Sequence, residues 1–241
     1  MAQLLDYFQG IYIINLPSRT DRLSEIQDQF KKIGLSLDHP NIHVFAAIRP
    51  DDAGEFENIG ARGCFLSHLG VLKDARSRQL ETILVFEDDL DFASDFLARV
   101  DSLIEQLKTA DWGIYYGGHR LSKLLALTNQ ADLVEVDSDL TVVTAHFIGF
   151  RQPVIDGLIN YLEQALTRPA GSPECGPMHV DGAYSWFRKE HPHVRVFLSV
   201  PELGYQRMSR TDIHELKWYD QVIGIRTITQ IVRKLLRKLR S

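Results

Sequence analysis

Two patterns of apolar residues take turns along the chain: short continuous runs, and residues spaced at the helical period. Together they predict strands that alternate with helices. Gly10 to Leu16 and Ile42 to Ala46 are short apolar runs of the kind that form buried strands. Between them, apolar residues recur at the helical spacing, at Leu23, Ile26, Phe30 and Ile33. The chain therefore begins with a β-α-β unit.

The same alternation continues through the rest of the chain. Further helices are predicted from about Ala61 to Ser77, after Ser94, from Pro153 to about Leu166 and from Val180 to Glu190. Further strands are predicted at Gly113 to Gly117, Leu133 to Val136, Leu140 to Phe150 and Val194 to Ser199. This order predicts an α/β fold, with a Rossmann-like, mostly parallel or mixed sheet that is flanked by helices.

The most informative strand is the apolar run Ile83 to Phe86, which ends abruptly in Glu87, Asp88 and Asp89. Adjacent carboxylates repel one another and resist burial, so a compensating cation is expected, and hard divalent cations prefer carboxylate oxygens. Ligands also bind at the carboxyl ends of strands in open α/β sheets. The alternative is an acidic strand exit that solvent alone satisfies.

Composition places the chain among globular proteins. It has 241 residues, of which 44% are hydrophobic and 24% charged, which is enough for one large domain. The two cysteines, Cys64 and Cys175, do not make a disulfide framework, so a reducing compartment is expected. No signal peptide and no membrane-spanning run is predicted, which favours a cytoplasmic location.

The charge is divided unevenly between the domain and its tail. The net charge is −5, but six basic residues and no acidic residue follow Asp220, which leaves 21 basic against 32 acidic residues before them. The tail separates apolar from basic residues on a helical wheel, as is typical of a helix that lies in a membrane interface. We therefore predict one domain over residues 1–220 and an amphipathic helix over residues 221–241 that binds an anionic inner-membrane surface. The alternative is a helix packed on the domain; nucleic acid is not an expected partner, because the acidic domain would repel it.

Five sequence blocks occur in an informative order. They are IYIINLPSRTDRL, GARGCFLSHLGVLKDA, LVFEDDLDF, HFIGFRQPVIDGLINYL and HVDGAYSWF, at residues 11–23, 60–75, 84–92, 146–162 and 179–187. This set resembles glycosyltransferase family 25, which includes bacterial lipooligosaccharide galactosyltransferases and collagen galactosyltransferases. The resemblance implies an A-type glycosyltransferase fold, a nucleotide-sugar donor, a divalent metal and inversion of the anomeric centre. Arg62 and the absence of a long middle region depart from the pattern and leave the acceptor open.

On this resemblance, the predicted function is the metal-dependent transfer of a hexose, galactose or glucose, from a UDP-sugar to a glycan or lipid-linked hydroxyl. The expected pathway is the synthesis of lipopolysaccharide or another surface polysaccharide. Two other functions remain as alternatives: a metal-dependent phosphohydrolase, and a non-catalytic, membrane-associated module that binds nucleotide sugars.

The acidic cluster is the predicted metal site, for Mn²⁺ or Mg²⁺. Side chains alternate along a strand, so Glu87 and Asp89 are expected on one side and Asp88 on the other. We predict Asp89 as the direct metal ligand and Asp88 as the second candidate. Glu87 is expected to hydrogen-bond ribose or metal-bound water, and Asp91 is a further candidate ligand whose alternative is a solvated loop residue.

Donor contacts are predicted around this cluster. Arg19 and Arg22 follow the first strand, where a guanidinium fork would suit a diphosphate; the alternative is a solvated basic pair. The other donor-binding candidates are polar or glycine residues close to strand ends: Asn15, Ser67, His68, Gly117 and Gly118. For Ser67 and His68, the alternative is a buried, hydrogen-bonded structural role.

An inverting transfer needs a general base that takes the proton of the acceptor hydroxyl. Asp181 is the first candidate, although an ordinary helix N-cap is its alternative role. His179 is the rival, because a histidine titrates close to neutral pH. His146 and Gln206 are weaker candidates for a contact with the metal or the diphosphate.

Overall fold

The computed structural model describes residues 2–121 and 133–207. Its helices are α1 Ala2–Tyr7, α2 Thr20–Lys32, α3 Ile59–Ser77, α4 Phe96–Thr109, α5 Gln152–Thr167 and α6 Val180–Glu190. Its strands are β1 Gly10–Asn15, β2 Ile42–Ala46, β3 Thr82–Glu87, β4 Leu90–Phe92, β5 Ile114–Leu121, β6 Leu133–Val136, β7 Val142–Arg151, β8 Val196–Ser199 and β9 Gly204–Gln206.

Within these described residues, seven strands form one mixed sheet in the order β2-β1-β3-β7-β5-β8-β6. β1 pairs in parallel with β2 and β3, because α2 and α3 supply the crossovers that parallel neighbours need. β7 is antiparallel to both β3 and β5. The predicted α/β fold with a mixed, helix-flanked sheet is therefore confirmed.

Hydrophobic cores cover both faces of this sheet. Along β3, Ile83 and Val85 pack into one core with residues of α3, α5 and α6. Leu84 and Phe86 pack into the other core with residues of α1, α2 and α4. A strand that is buried on both faces reads as a continuous apolar run, which explains the pattern from Ile83 to Phe86.

The structure differs from the sequence predictions at several element ends. α3 begins at Ile59, where the Asn58 side chain accepts a 2.8 Å hydrogen bond from the Ala61 amide. α4 follows Asp95 rather than Ser94. β5 continues past Gly117 to Leu121 through two irregularities in its pairing with β7.

The predicted helix over residues 221–241 lies outside the described residues and stays a prediction. Within residues 2–121 and 133–207, the helices are too short or too polar to cross a bilayer.

Candidate functional site

The carboxyl ends of β1 and β3 lie side by side, because Ile14 is paired with Glu87 in the parallel register. Asn15 ends β1, and its Nδ2 donates a 2.8 Å hydrogen bond to Asp88 Oδ2. Arg22, in the first turns of α2, donates from Nη1 to Asp88 Oδ1 at 2.7 Å. All three side chains are buried. The structure thus brings three predicted site residues into contact, since Asn15 and Arg22 both donate a hydrogen bond to Asp88.

Asp89 has the least satisfied carboxylate of this cluster. It is only 2% exposed, and Oδ1 has no hydrogen-bond partner among the described residues. Oδ2 accepts a long bond of 3.4 Å from Gln206 Nε2 and lies 3.8 Å from Arg22 Nη1. Burial and the nearby Glu87 carboxylate raise the pKa of Asp89 to about 7. A buried acceptor without a donor fits a cation ligand, so this donor set fits a divalent metal at Asp89.

Asp88 has less coordinating capacity to offer, since each of its oxygens already accepts a hydrogen bond. Burial raises the pKa of Asp88, although Arg22 and Asn15 oppose the shift. Both partners hold the carboxylate in place beside Asp89. Asp88 is therefore suited to orient the site, with one remaining lone pair on each oxygen for a shared ligand.

Glu87 faces α3 and contacts two side chains of that helix. Its Oε1 lies 3.3 Å from His68 Nε2 and 3.7 Å from Cys64 Sγ. β3 ends at Glu87 and a turn follows, so strand alternation does not extend to Asp89. Burial disfavours the charged carboxylate, but the His68 hydrogen bond and the nearby histidine charges together hold the pKa of Glu87 below its usual value.

Arg19 and Asp91 both have strong partners within the protein. Arg19 makes two hydrogen bonds to Asp21, from Nε at 2.9 Å and from Nη2 at 2.8 Å. Asp91 Oδ1 accepts from Arg207 Nε at 2.9 Å and from Gln29 Nε2 at 3.0 Å. Asp91 therefore lies in β4 with two hydrogen-bond partners and is not a solvated loop residue.

Ser67 and His68 have different surroundings although they are adjacent on α3. Ser67 is fully buried, donates to the Gly63 carbonyl at 2.6 Å and accepts from the Ile48 amide at 2.8 Å. These contacts fit the alternative prediction for Ser67, a buried and hydrogen-bonded structural role. His68 is 1% exposed and links the acidic cluster to α6, because Nδ1 lies 3.1 Å from the Tyr184 hydroxyl.

Gly117 and Gly118 lie in the irregular part of β5, against β7. A Cβ at Gly117 would collide with the Phe147 ring, and one at Gly118 would collide with the His146 ring and the Gly204 carbonyl. Close packing therefore explains both glycines. Their predicted role in admitting a sugar stays a prediction.

His146 is buried among other protein groups. Its Nδ1 lies 3.0 Å from Thr144 Oγ1 and its Nε2 lies 3.3 Å from the Gly204 carbonyl. Burial lowers the pKa of His146, which favours the neutral ring. A contact with a distal metal or diphosphate stays a prediction.

Asp181 uses one carboxylate oxygen to connect α6 to β7 and the other to bind a backbone amide of α6 itself. Oδ2 accepts from the Thr144 amide at 2.8 Å, and Oδ1 accepts from the Gly182 amide at 2.8 Å. Thr144 has a φ of 78°, which is unfavourable for a β-branched residue, so the Asp181 bond supports a strained backbone. The N-cap of α6 is His179, so the alternative that made Asp181 the N-cap is wrong.

His179 is the more accessible of the two base candidates. Its side chain is 38% exposed, and Nε2 lies 3.0 Å from Glu57 Oε2. This contact with the Glu57 carboxylate orients the imidazole ring. The sequence analysis missed Glu57, because its position before α3 shows no motif.

A sequence model described as "Glycosyltransferase family 25 (LPS biosynthesis protein)" matches residues 8–125. That stretch of the chain belongs to glycosyltransferase family 25. The matched range contains β1, α2, α3 and β3, and it includes Asn15, Arg22, His68 and the acidic cluster at the end of β3. The family 25 resemblance seen in the sequence is confirmed.

The curated relatives of this chain include proteins named as galactosyltransferases and a protein named as inactive. It is 32% identical over 131 residues to procollagen galactosyltransferase 1-A from Xenopus laevis, covering 47% of this chain and 21% of the relative. It is 31% identical over 152 residues to procollagen galactosyltransferase 2 from Homo sapiens, covering 54% and 24%. It is also 38% identical over 131 residues to inactive glycosyltransferase 25 family member 3 from Homo sapiens, covering 47% and 22%. The aligned region thus spans less than a quarter of the length of each of these relatives.

Among solved structures, the chain is similar to a glycosyltransferase involved in the glycosylation of the major capsid of PBCV-1. The identity is 12% and the TM-score 0.42, and the match covers 80% of this chain and 94% of that one.

Proposed function

We propose that this family 25 chain transfers a sugar from a nucleotide donor to a hydroxyl group, with a divalent metal at Asp89. The observation that carries the proposal is the unpartnered, buried Oδ1 of Asp89 at the carboxyl ends of two parallel strands. Ligands bind at that edge in open α/β sheets. Family membership adds support for glycosyl transfer over phosphate hydrolysis.

The roles of the surrounding side chains follow from their contacts. Asn15 and Arg22 each hold one oxygen of Asp88 and so fix the carboxylate beside Asp89. A bound Mn²⁺ or Mg²⁺ would neutralise the charge that develops on the diphosphate leaving group. Asp89 would be a direct ligand of that ion and Asp88 the second candidate ligand.

Two groups compete for the role of general base. His179 is accessible and paired with Glu57, which are properties of a group that accepts a proton from an acceptor hydroxyl. Both oxygens of Asp181 are occupied by backbone amides, so this residue has a structural task whether or not it is also the base. We favour His179 as the base and Asp181 as the support of β7.

The donor is proposed to be a UDP-hexose, and the names of the procollagen galactosyltransferase relatives favour galactose over glucose. The acceptor is proposed to be a hydroxyl of a glycan or lipid-linked glycan in surface polysaccharide synthesis, as the family description suggests. The basic tail beyond Asp220 supports peripheral attachment to an anionic, cytoplasmic membrane face.

The test is a screen of UDP-galactose, UDP-glucose and other nucleotide sugars for Mn²⁺-dependent binding and for release of UDP. We expect binding by the wild type and loss of metal-dependent binding in Asp89→Asn, which keeps the shape but removes the charge. Asp28→Asn is the matched control, since this aspartate lies on α2 with a side chain that is 62% exposed. Equal donor affinity in Asp89→Asn and the wild type would contradict the metal assignment.

A second candidate function is donor binding without turnover. It is favoured by the relative named inactive glycosyltransferase 25 family member 3, which is 38% identical over the aligned region. Metal-dependent binding of UDP-galactose with neither transfer nor slow hydrolysis would support this function. Measurable release of UDP that disappears in Asp89→Asn would exclude it.

A further inference from the structure

A second group of side chains that could bind a metal is formed by Glu87 together with two residues of α3. Cys64, His68 and Glu87 each present one ligand atom, and these three atoms lie within 4.8 Å of one another. His68 Nε2 is 3.3 Å and Cys64 Sγ 3.7 Å from Glu87 Oε1.

The two distances to Glu87 Oε1 are close to those of tetrahedral coordination. Zinc bonds of about 2.0–2.3 Å at tetrahedral angles place neighbouring ligand atoms about 3.3–3.6 Å apart. The two distances to Glu87 Oε1, 3.3 Å and 3.7 Å, are close to that range. Cys64 and His68 are four residues apart on α3, which puts both on one face of the helix.

The histidine is also held in the orientation that a metal ligand requires. Its other nitrogen, Nδ1, lies 3.1 Å from the hydroxyl of Tyr184, a fully buried residue of α6. When a metal ion replaces the proton on Nε2, Nδ1–H donates to this hydroxyl and the lone pair of Nε2 points to the ion between Glu87 and Cys64. Such outer hydrogen bonds fix the tautomer and ring orientation of histidines that bind metals.

The donor types select a class of ion. A thiol and an imidazole favour Zn²⁺ and other borderline metals, whereas Mn²⁺ and Mg²⁺ prefer oxygen ligands. Three protein ligands leave a fourth coordination position for water, and Cys64 and Glu87 are both partly exposed, which gives an ion a path of entry.

We propose that Cys64, His68 and Glu87 form a binding site for Zn²⁺ or a similar ion, distinct in its ligands from the site at Asp89. Binding converts the Cys64 thiol to a thiolate and releases its proton to the solvent. The bound ion links α3 to the end of β3 and, through Tyr184, to α6. The site does not depend on the proposed sugar transfer.

The test uses the full chain freed of metal by a chelator and then titrated with Co²⁺, which reports thiolate ligation by a near-ultraviolet charge-transfer band. We expect this band in the wild type, its displacement by Zn²⁺, and its loss in Cys64→Ser. The matched control is Cys175→Ser, because Cys175 is the other cysteine and is buried elsewhere, with Sγ 3.7 Å from the Gly176 carbonyl. Asp89→Asn should keep the band, which separates this site from the proposed donor site.

Tyr184→Phe tests the orienting hydrogen bond. It removes the acceptor of His68 Nδ1–H while keeping the ring, so Zn²⁺ affinity should fall about 10- to 100-fold with the cobalt band retained. Alkylation read by mass spectrometry gives a measurement that needs no variant: Zn²⁺ should protect Cys64 in the wild type. Absence of the thiolate band in the wild type, or alkylation of Cys64 at the same rate with and without Zn²⁺, would overturn the proposal.

Discussion

Replacing Asp181 with asparagine removes one of its two backbone contacts, of which one connects α6 to β7 and the other lies within α6. The carboxylate accepts from the Thr144 amide with one oxygen and from the Gly182 amide with the other. Asparagine has a single side-chain oxygen, so its NH₂ group must face one of these N–H donors. Asp181→Asn is therefore expected to destabilise the fold, even though it conserves shape.

The size of the effect follows from the contacts that are lost. A hydrogen bond to a charged group contributes about 1.5–3 kcal/mol, and a carboxylate in the first turn of a helix adds about 0.3–1 kcal/mol. Since Asp181 is only half-buried, we expect a total loss of about 2–3 kcal/mol. In a domain of this size, that corresponds to a decrease in Tm of about 4–12 °C.

The assay is thermal unfolding followed by far-ultraviolet circular dichroism. Asp28→Asn makes the same chemical change at an exposed side chain, so it should alter stability by less than about 0.5 kcal/mol. If Asp181→Asn unfolds within about 2 °C of the wild type, the two backbone contacts do not stabilise the domain and the reasoning is refuted.

Three further predictions concern the base, the half-buried carboxyl group of Glu202 and the tail. At a temperature well below the Tm of Asp181→Asn, His179→Gln should lower turnover about 10²- to 10⁴-fold with the donor KM nearly unchanged. A larger loss of turnover in Asp181→Asn would assign the role of general base to Asp181. Burial raises the pKa of Glu202 from 4.5 to about 7. The folded protein therefore keeps the Glu202 proton to a higher pH than the unfolded chain does, and the free energy of unfolding falls as the pH rises from about 4.5 to about 7. Glu202→Gln should thus stabilise the fold by about 1–3 kcal/mol near pH 8 and have little effect near pH 4, and an equal effect in urea unfolding at both values would contradict this. Full-length protein should float with anionic liposomes at low salt, with about 1 kcal/mol from each basic residue near the surface, whereas a chain ending at Gly224 should not; equal recovery of both in the soluble fraction would exclude a membrane helix.

Local patterns predicted most elements of the sheet. The apolar run from Ile83 to Phe86 identified β3, and the helical spacing of Leu23, Ile26 and Phe30 identified α2. The short strands β4 and β9 escaped prediction, since each has three residues and forms only through pairing with a segment more than a hundred residues away. Such pairing leaves no periodic signal in either segment.

The candidate site was predicted in outline but not in its contacts. The carboxylates and Arg22 stand out as charged residues after apolar strands, so their presence near the strand ends was predictable. Arg22 and Asn15 can both bind Asp88 only because β1 and β3 are neighbours in the sheet. Sequence patterns do not predict which strands are neighbours. The direction of Glu87 likewise depends on where β3 ends, and a difference of one residue changes the face it meets.

The residues matched by the family model do not form a complete sheet, because β7 lies outside the match. The matched residues 8–125 contain β3 and β5, but β7, residues Val142–Arg151, is inserted between these two strands and pairs with both. A fragment cut at the end of the match would present the long apolar edge of β3 to solvent and leave β5 without either neighbour. Unpaired edges of this kind recruit other chains. Expression of the matched region alone is therefore a route to aggregates, and domain dissection should retain the chain through β9.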